Sequence, residues 1–146
     1  MGLDPQNLGS IIRTAECAGV HGIIIPRHNS VEITEGVARA SAGAVEHMHI
    51  IRETNLVNTI NYLKKQGFWI IGADMEGTSD YFATKLPSPT VIVIGGEGKG
   101  IKRLVKENCD ILVKIPMYGN LNSLNASVAA TLLIYEVVRQ RRFNDK

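Results

Sequence analysis

Short apolar runs separated by helix-patterned stretches constrain this chain more than any other feature. Gly22-Ile23-Ile24-Ile25 (stopped by Pro26), Phe68-Trp69-Ile70-Ile71-Gly72, Val91-Ile92-Val93-Ile94 and Ile111 to Ile115 each have the length of a strand and little or no polar alternation. Such runs mark strands buried on both faces, as in a parallel sheet covered by helices. Between them, Leu56, Ile60 and Leu63 recur at helical spacing up to Gly67, and Glu35 to Ser41 suits a short helix. A long apolar helix is predicted from Ala126 to Arg139, with Val128, Leu132 and Tyr135 on one stripe. His47 to Ile51 reads as another strand and Asp74 to Asp80 as a loop. Strand and helix patterns in alternation predict an α/β fold, a mostly parallel sheet flanked by helices.

Three corners of this pattern carry the candidate chemistry. The last is Ile115-Pro116-Met117-Tyr118-Gly119-Asn120-Leu121-Asn122-Ser123-Leu124-Asn125-Ala126-Ser127, where a strand ends in a polar loop that opens onto the final helix. Such a corner offers free backbone N–H groups and short polar side chains. A single Ser or Asn there would be an ordinary helix cap. The first corner is Asp4-Pro5-Gln6-Asn7-Leu8-Gly9-Ser10-Ile11-Ile12-Arg13-Thr14-Ala15, in which turn formers precede apolar residues at helical spacing and Arg13 falls on the early turns. The second is Val91-Ile92-Val93-Ile94-Gly95-Gly96-Glu97-Gly98-Lys99-Gly100-Ile101, a buried-type strand ending in a glycine loop with one carboxylate. Glycine there permits positive φ or close approach of backbone to a ligand.

In this order and at these separations, the three segments resemble the signature motifs of the SpoU (TrmH-like) family of RNA ribose 2′-O-methyltransferases, within the trefoil-knotted SPOUT superfamily. The likeness runs from Asp4 to about Arg142 and is greatest to the bacterial branch that methylates guanosine ribose in 23S rRNA. It implies a C-terminal trefoil knot whose loops hold S-adenosyl-L-methionine (AdoMet). On this sequence the cofactor pocket would draw on Gly95, Gly96, Glu97 and Gly98, on Ile115 and Met117, and on Ser123, Leu124 and Asn125. Ile, Met and Leu make reasonable walls for an adenine ring, with backbone groups reading its edge. The implied catalytic set is Arg13, Asn7, Glu97, Ser123 and Asn125.

The implied reaction aims a ribose 2′-hydroxyl, a poor nucleophile at neutral pH, at an activated methyl group, so positioning carries much of the burden. Arginine side chains stay protonated far above neutral pH and make poor bases. Arg13 is therefore read as a cation that clamps phosphate or favours the ionised hydroxyl, with another acceptor or solvent taking the proton. Asn7 would hold the geometry of its motif, Glu97 would orient Arg13 or the substrate, and Ser123 and Asn125 would hydrogen-bond substrate or cofactor. The resemblance also implies a homodimer in which the arginine of one subunit can serve the other's site. Leu132, Leu133 and Tyr135 of the final helix are candidate interface residues, unless that helix only packs on the sheet. Two alternatives stay open: a tRNA substrate, and a non-catalytic RNA-binding module that keeps the fold. Neither a Rossmann fingerprint nor a P-loop fits, since Gly96, Gly98 and Gly100 have the wrong spacing and Val93 stands where a P-loop needs its first glycine.

The 146 residues make one domain of ordinary size, here a catalytic domain over 1–146, and at 45% hydrophobic and 21% charged it should fold. A net charge of +2 neither demands nor excludes RNA, because a neutral total can hide a basic face. Lys99, Lys102, Arg103 and Lys106 are spaced to share one side of a short helix beside the glycine loop. Cys17 and Cys109 are isolated, which fits a reduced, cytoplasmic setting with both thiols buried. His47 and His49 would share a strand face, and with no third ligand no metal is expected. No run approaches the ~20 apolar residues of a membrane span. Relatives usually carry an apolar strand before the Asp-Pro segment, and often an RNA-binding domain before that. Only Met1-Gly2-Leu3 precedes it here, so the expectation is a catalytic domain truncated at its N-terminus.

Overall fold

The structure, a computed structural model, describes residues 4–27, 33–96 and 100–143. The chain forms two compact units, Met1–Asn55 and Leu56–Lys146.

The first unit holds helix α1 (Pro5–Ala18), strand β1 (Gly22–Pro26), helix α2 (Glu35–Ala40) and strand β2 (His49–Glu53). Helix α1 starts where the sequence dictates. Asp4 takes an extended conformation and its Oδ1 accepts from Asn7 N at 2.8 Å, while Pro5 fills the first turn, where a missing N–H costs nothing. It ends at Gly19, whose φ of +79° is the left-handed cap that glycine adopts without penalty. Leu8, Ile12 and Ala15 form its buried stripe, and Leu8 and Ile12 pack with Ile25, Val37 and Ala44. Gly9 lets α1 and α2 touch: a Cβ there would lie 2.9 Å from the carbonyl carbon of Ala40 and 3.0 Å from Ser41 N, and would overlap the Ala40 methyl. Strands β1 and β2 pair in parallel, Ile23 opposite Ile50. The β2 strand begins two residues later than the sequence suggests. His47 closes a 3₁₀ turn, Ala44–His47, so the two histidines do not share a strand face.

The second unit contains helix α3 (Leu56–Lys65), strands β3 (Trp69–Ala73), β4 (Ser79–Asp80) and β5 (Thr90–Ile94), helix α4 (Arg103–Glu107), strand β6 (Ile111–Lys114) and helix α5 (Ala126–Phe143). Its four strands run in the order β4-β6-β3-β5, and every pairing is parallel. Strand β4 falls inside the segment expected to be a loop, because Ser79 and Asp80 reach the free edge of β6. One apolar cluster gathers Ile71, Leu86, Val113, Leu133 and Val137, and another gathers Ile60, Ile70, Ile101 and Val105. The buried stripe of α5 is Ala126, Ala130, Leu133 and Val137, together with Ile134. Val128 and Tyr135 of the expected stripe are exposed instead. Leu133 is fully buried in the first of these clusters and is not available to a partner.

Both cysteine expectations need correction. Cys17 is exposed, because it lies off the Leu8-Ile12-Ala15 stripe of α1. Cys109 is half-buried, and burial pushes its thiol up to about 11. No helix among the described residues is long and apolar enough to cross a membrane.

Candidate functional site

The parallel register places the second and third sequence corners at the carboxyl end of the four-stranded sheet. Strand β3 has β5 on one side and β6 on the other, so the chain leaves all three strands in the same direction. Neighbouring strands are about 4.8 Å apart, so the glycine loop after β5 and the polar loop after β6 depart roughly 10 Å from each other. A crevice outside the carboxyl ends of parallel strands, where connections diverge to either side, is where open α/β sheets bind ligands.

The glycine loop closes into a neck. Gly96 and Gly100 form an antiparallel bridge, and Gly95 packs directly on the backbone beyond it. A Cβ on Gly95 would overlap the Gly100 carbonyl and lie 2.6 Å from Ile101 N. Gly100 has a φ of +67°, and a Cβ there would lie 3.0 Å from Asp74 Oδ2. Glycine at 95 and 100 thus serves chain-to-chain approach. Glu97, Gly98 and Lys99 lie outside the described residues.

The loop after β6 is irregular from Ile115 to Asn125. Ile115 is half-buried, and Met117 and Leu124 are 37% and 36% exposed. Met117 and Leu124 thus leave apolar side chains open to solvent, and Gly119 faces open space. Ser123 is exposed. Asn125 caps α5: its Oδ1 accepts from Ser127 N at 2.8 Å, from Ser127 Oγ at 2.6 Å and from Val128 N at 3.4 Å.

Asp74, at the carboxyl end of β3, is a residue the sequence reading passed over inside a polar stretch. Its side chain is only 5% exposed. Oδ1 accepts from Glu76 N at 2.9 Å, Oδ2 accepts from Ile101 N at 3.5 Å, and Lys106 Nζ stands 3.4 Å away. Lys106 also donates to Glu76 at 2.7 Å. The hydrogen bond to Glu76, helped by the charge of Asp74, holds the Lys106 pKa above the ordinary lysine value. The expected basic face is therefore reduced. Lys106 is neutralised, Arg103 pairs with Glu107 at 3.4 Å, Lys102 is the N-cap of α4, and Lys99 lies outside the described residues.

The first corner belongs to the other compact unit. Arg13 is exposed, and it lines an open depression of about 590 Å³ with Asp4, Pro5, Gln6, Gly36, Arg39 and Ala40. Two guanidinium groups thus border one concavity at the start of α1. The Asp4 carboxylate in its wall is committed to Asn7, accepting from the backbone N and, at 3.5 Å, from Nδ2. Asn7 is itself buried. Arg39 was not singled out from sequence, where it is one charge on a short helix. Its partner Glu35 is 3.8 Å away and both side chains are largely exposed. No group of three or more His, Cys, Asp or Glu that could hold a metal ion occurs among the described residues.

The model of the SpoU rRNA Methylase family matches residues 3–135. The chain belongs to this family. A relative from Staphylococcus saprophyticus, assigned to the TrmH family of tRNA/rRNA methyltransferases, is 54% identical over 140 residues, which cover 96% of this chain and 56% of the relative. The chain thus spans little more than half the length of that relative. The SpoU methyltransferase AviRb of Streptomyces viridochromogenes, solved in complex with AdoMet, superposes with a TM-score of 0.88 at 33% identity, over 97% of this chain and 58% of that one. A TrmH/SpoU tRNA modifying enzyme of A. aeolicus superposes with a TM-score of 0.86 at 30% identity, over 97% of this chain and 72% of that one. The SpoU α/β fold, with parallel strands flanked by helices, is common to this chain and these two structures.

Proposed function

We propose that this chain is the catalytic part of an AdoMet-dependent RNA ribose 2′-O-methyltransferase, with a C-terminal trefoil knot in the second unit. The observation that carries this reading is the carboxyl end of the sheet. A glycine neck after β5 and an irregular loop with exposed Met117 and Leu124 after β6 flank the carboxyl end of β3, in a family whose member AviRb was solved with AdoMet. The residues suit that cofactor. Met117, Leu124 and Ile115 would pack on its apolar parts, while the irregular backbone of 115–125 and the Gly95–Gly96 turn would meet its polar edges. When bound, AdoMet supplies a methyl group activated by its sulfonium.

The chain's own part is positioning and charge. Arg13, with Arg39, would hold an RNA phosphate at the depression, because guanidinium groups match phosphate oxygens. Asn7 would act by fixing the start of α1, and Asn125 by fixing the start of α5, leaving Ser123 to meet the substrate or cofactor. Glu97, the carboxylate of the glycine loop's sequence, would orient the ribose. The reading includes a homodimer with cytoplasmic RNA as substrate, and a guanosine in 23S rRNA as target. Relatives carry both tRNA and rRNA in their names, so tRNA is the competing substrate.

Calorimetric titration with AdoMet, with NAD as control, tests the pocket; micromolar-range binding of AdoMet alone is expected. Transfer of labelled methyl to 23S rRNA fragments and to tRNA then decides the substrate. Arg13→Ala should lower methyl transfer by about a hundredfold or more while AdoMet still binds. Transfer that persists in this variant would remove Arg13 from the mechanism. A chain that binds RNA and AdoMet but never transfers would be a binding module.

A further inference from the structure

The polar cluster at the carboxyl end of β3 has a role beyond surface charge. We propose that Asp74 is a positioning residue for the glycine neck: its buried carboxylate, held by Lys106, ties the Gly100–Ile101 end of the neck to the carboxyl end of the sheet and so sets the shape that meets AdoMet. The inference rests on the cofactor reading above.

Four observations converge on it. The Asp74 backbone is anchored on both sides, since its N–H donates to Val113 O at 2.9 Å and its carbonyl accepts from Gly77 N at 2.9 Å. Its side chain is therefore aimed by β6 and the following turn rather than by the neck itself. One carboxylate oxygen is fixed by Glu76 N and faces Lys106, while the other reaches Ile101 N. Gly100, in the left-handed region, leaves room for that oxygen, which a side chain would crowd.

The arrangement has an energetic logic. An almost fully buried carboxylate is costly unless a cation and hydrogen-bond donors surround it. Lys106 supplies the cation and the backbone N–H groups of 76 and 101 supply donors. The carboxylate and the neck root then depend on one another. If the neck moves away, the carboxylate loses a donor; if the carboxylate is lost, Ile101 N–H faces the carboxyl end of the sheet without its acceptor. The neck comprises glycines, which by themselves hold no single conformation. An external tether is what such a loop needs to be preformed, and a preformed wall binds more tightly than one ordered on binding.

The test compares AdoMet affinity by calorimetry with hydrogen exchange of the Ile101 amide by NMR, in Asp74→Ala, Asp74→Asn, Lys106→Met and the control Arg103→Gln, with Tm confirming that each is folded. Asp74→Ala should weaken AdoMet binding by about tenfold or more and speed Ile101 exchange by a similar factor. Asp74→Asn, whose amide oxygen still accepts, should recover part of both, and Lys106→Met should show the same loss in smaller measure. Arg103→Gln, on the exposed side of α4, should leave both unchanged. Should Asp74→Ala fail to fold, Asp74→Asn and Lys106→Met carry the comparison. Affinity and Ile101 exchange both within twofold of the unsubstituted chain in the folded Asp74 variants would overturn the proposal. If the unsubstituted chain binds no AdoMet, the cofactor reading falls on its own, and the exchange rate alone decides whether Asp74 holds the neck.

Discussion

Replacing Gly95 by Ala tests the neck most directly. The new Cβ would overlap the carbonyl of Gly100 and sit 2.6 Å from Ile101 N, where ordinary contact begins at 3.4 Å. Clearing Ile101 N alone needs about 0.8 Å, and the Gly100 carbonyl is nearer still, so the two sides of the neck must separate by more than that; both are backbone, so no side chain can swing aside. Overpacking of this kind costs about 1–3 kcal/mol, and a backbone clash belongs in the upper half of that range. If about 2–3 kcal/mol falls on the conformation that binds, AdoMet affinity drops about 30- to 150-fold. If the folded state bears it, Tm falls by about 4–12 °C at this chain length. Gly119→Ala is the matched control, because a Cβ at that glycine meets nothing within 4 Å; its Tm change should correspond to about 0.5 kcal/mol or less. Calorimetric binding and thermal melting of the two variants give the answer. Unchanged affinity and unchanged Tm in Gly95→Ala would mean that the neck is not closed as described.

In the first unit, Gly9→Ala gains about 1 kcal/mol of helix propensity but drives its methyl into Ala40, so the net effect should be a loss of about 1–2 kcal/mol, read by denaturant unfolding. Glu136 is buried on α5, and the hydrogen bond from Arg139 holds its carboxyl below the ordinary glutamate value. The unfolded chain therefore binds this proton more readily, so the stability Glu136 contributes is present above about pH 4.5 and is lost as pH falls through the lower folded value. Glu136→Gln should flatten the acid limb of a Tm-versus-pH curve. Cys109, pushed from 9.0 to about 11, should be alkylated at pH 8 roughly a hundredfold more slowly than an ordinary thiol, and Cys17 first, as peptide mapping would report.

The strands were legible because they are continuous apolar runs, and their ends moved by only a residue or two. Helix α1 was legible because Asp4-Pro5 and Gly19 are local signals whose effect does not depend on what lies far away. What failed was whatever depends on neighbours distant in sequence. Ser79 and Asp80 look like turn residues, and only the free edge of β6 makes them a strand. The Val128-Leu132-Tyr135 stripe and the Ala126-Ala130-Leu133-Val137 stripe are both apolar on a helix that is apolar nearly all round. Periodicity alone could not say which one faces the sheet.

The same distinction explains the candidate site. Asn125 was expected to hydrogen-bond substrate or cofactor, and its Oδ1 also caps α5; at α1 the cap is Asp4, which accepts from Asn7 N. Capping and ligand binding draw on the same short polar side chains, so sequence offers no way to separate them. The glycines of the second corner were read as permitting positive φ or close approach to a ligand; Gly100 takes a φ of +67°, and Gly95 packs against the Gly100 backbone. A glycine that another strand of the chain must touch and one that a ligand must touch are identical in sequence. Asp74 makes the converse case. Nothing in Asp74-Met75-Glu76-Gly77 distinguishes it from a solvated turn; its burial is created by β5 and β6 pairing on opposite sides of β3. The loops proposed to meet a ligand can thus be found from local motifs, while Asp74, proposed to hold one of them in shape, emerges only from the register of the sheet.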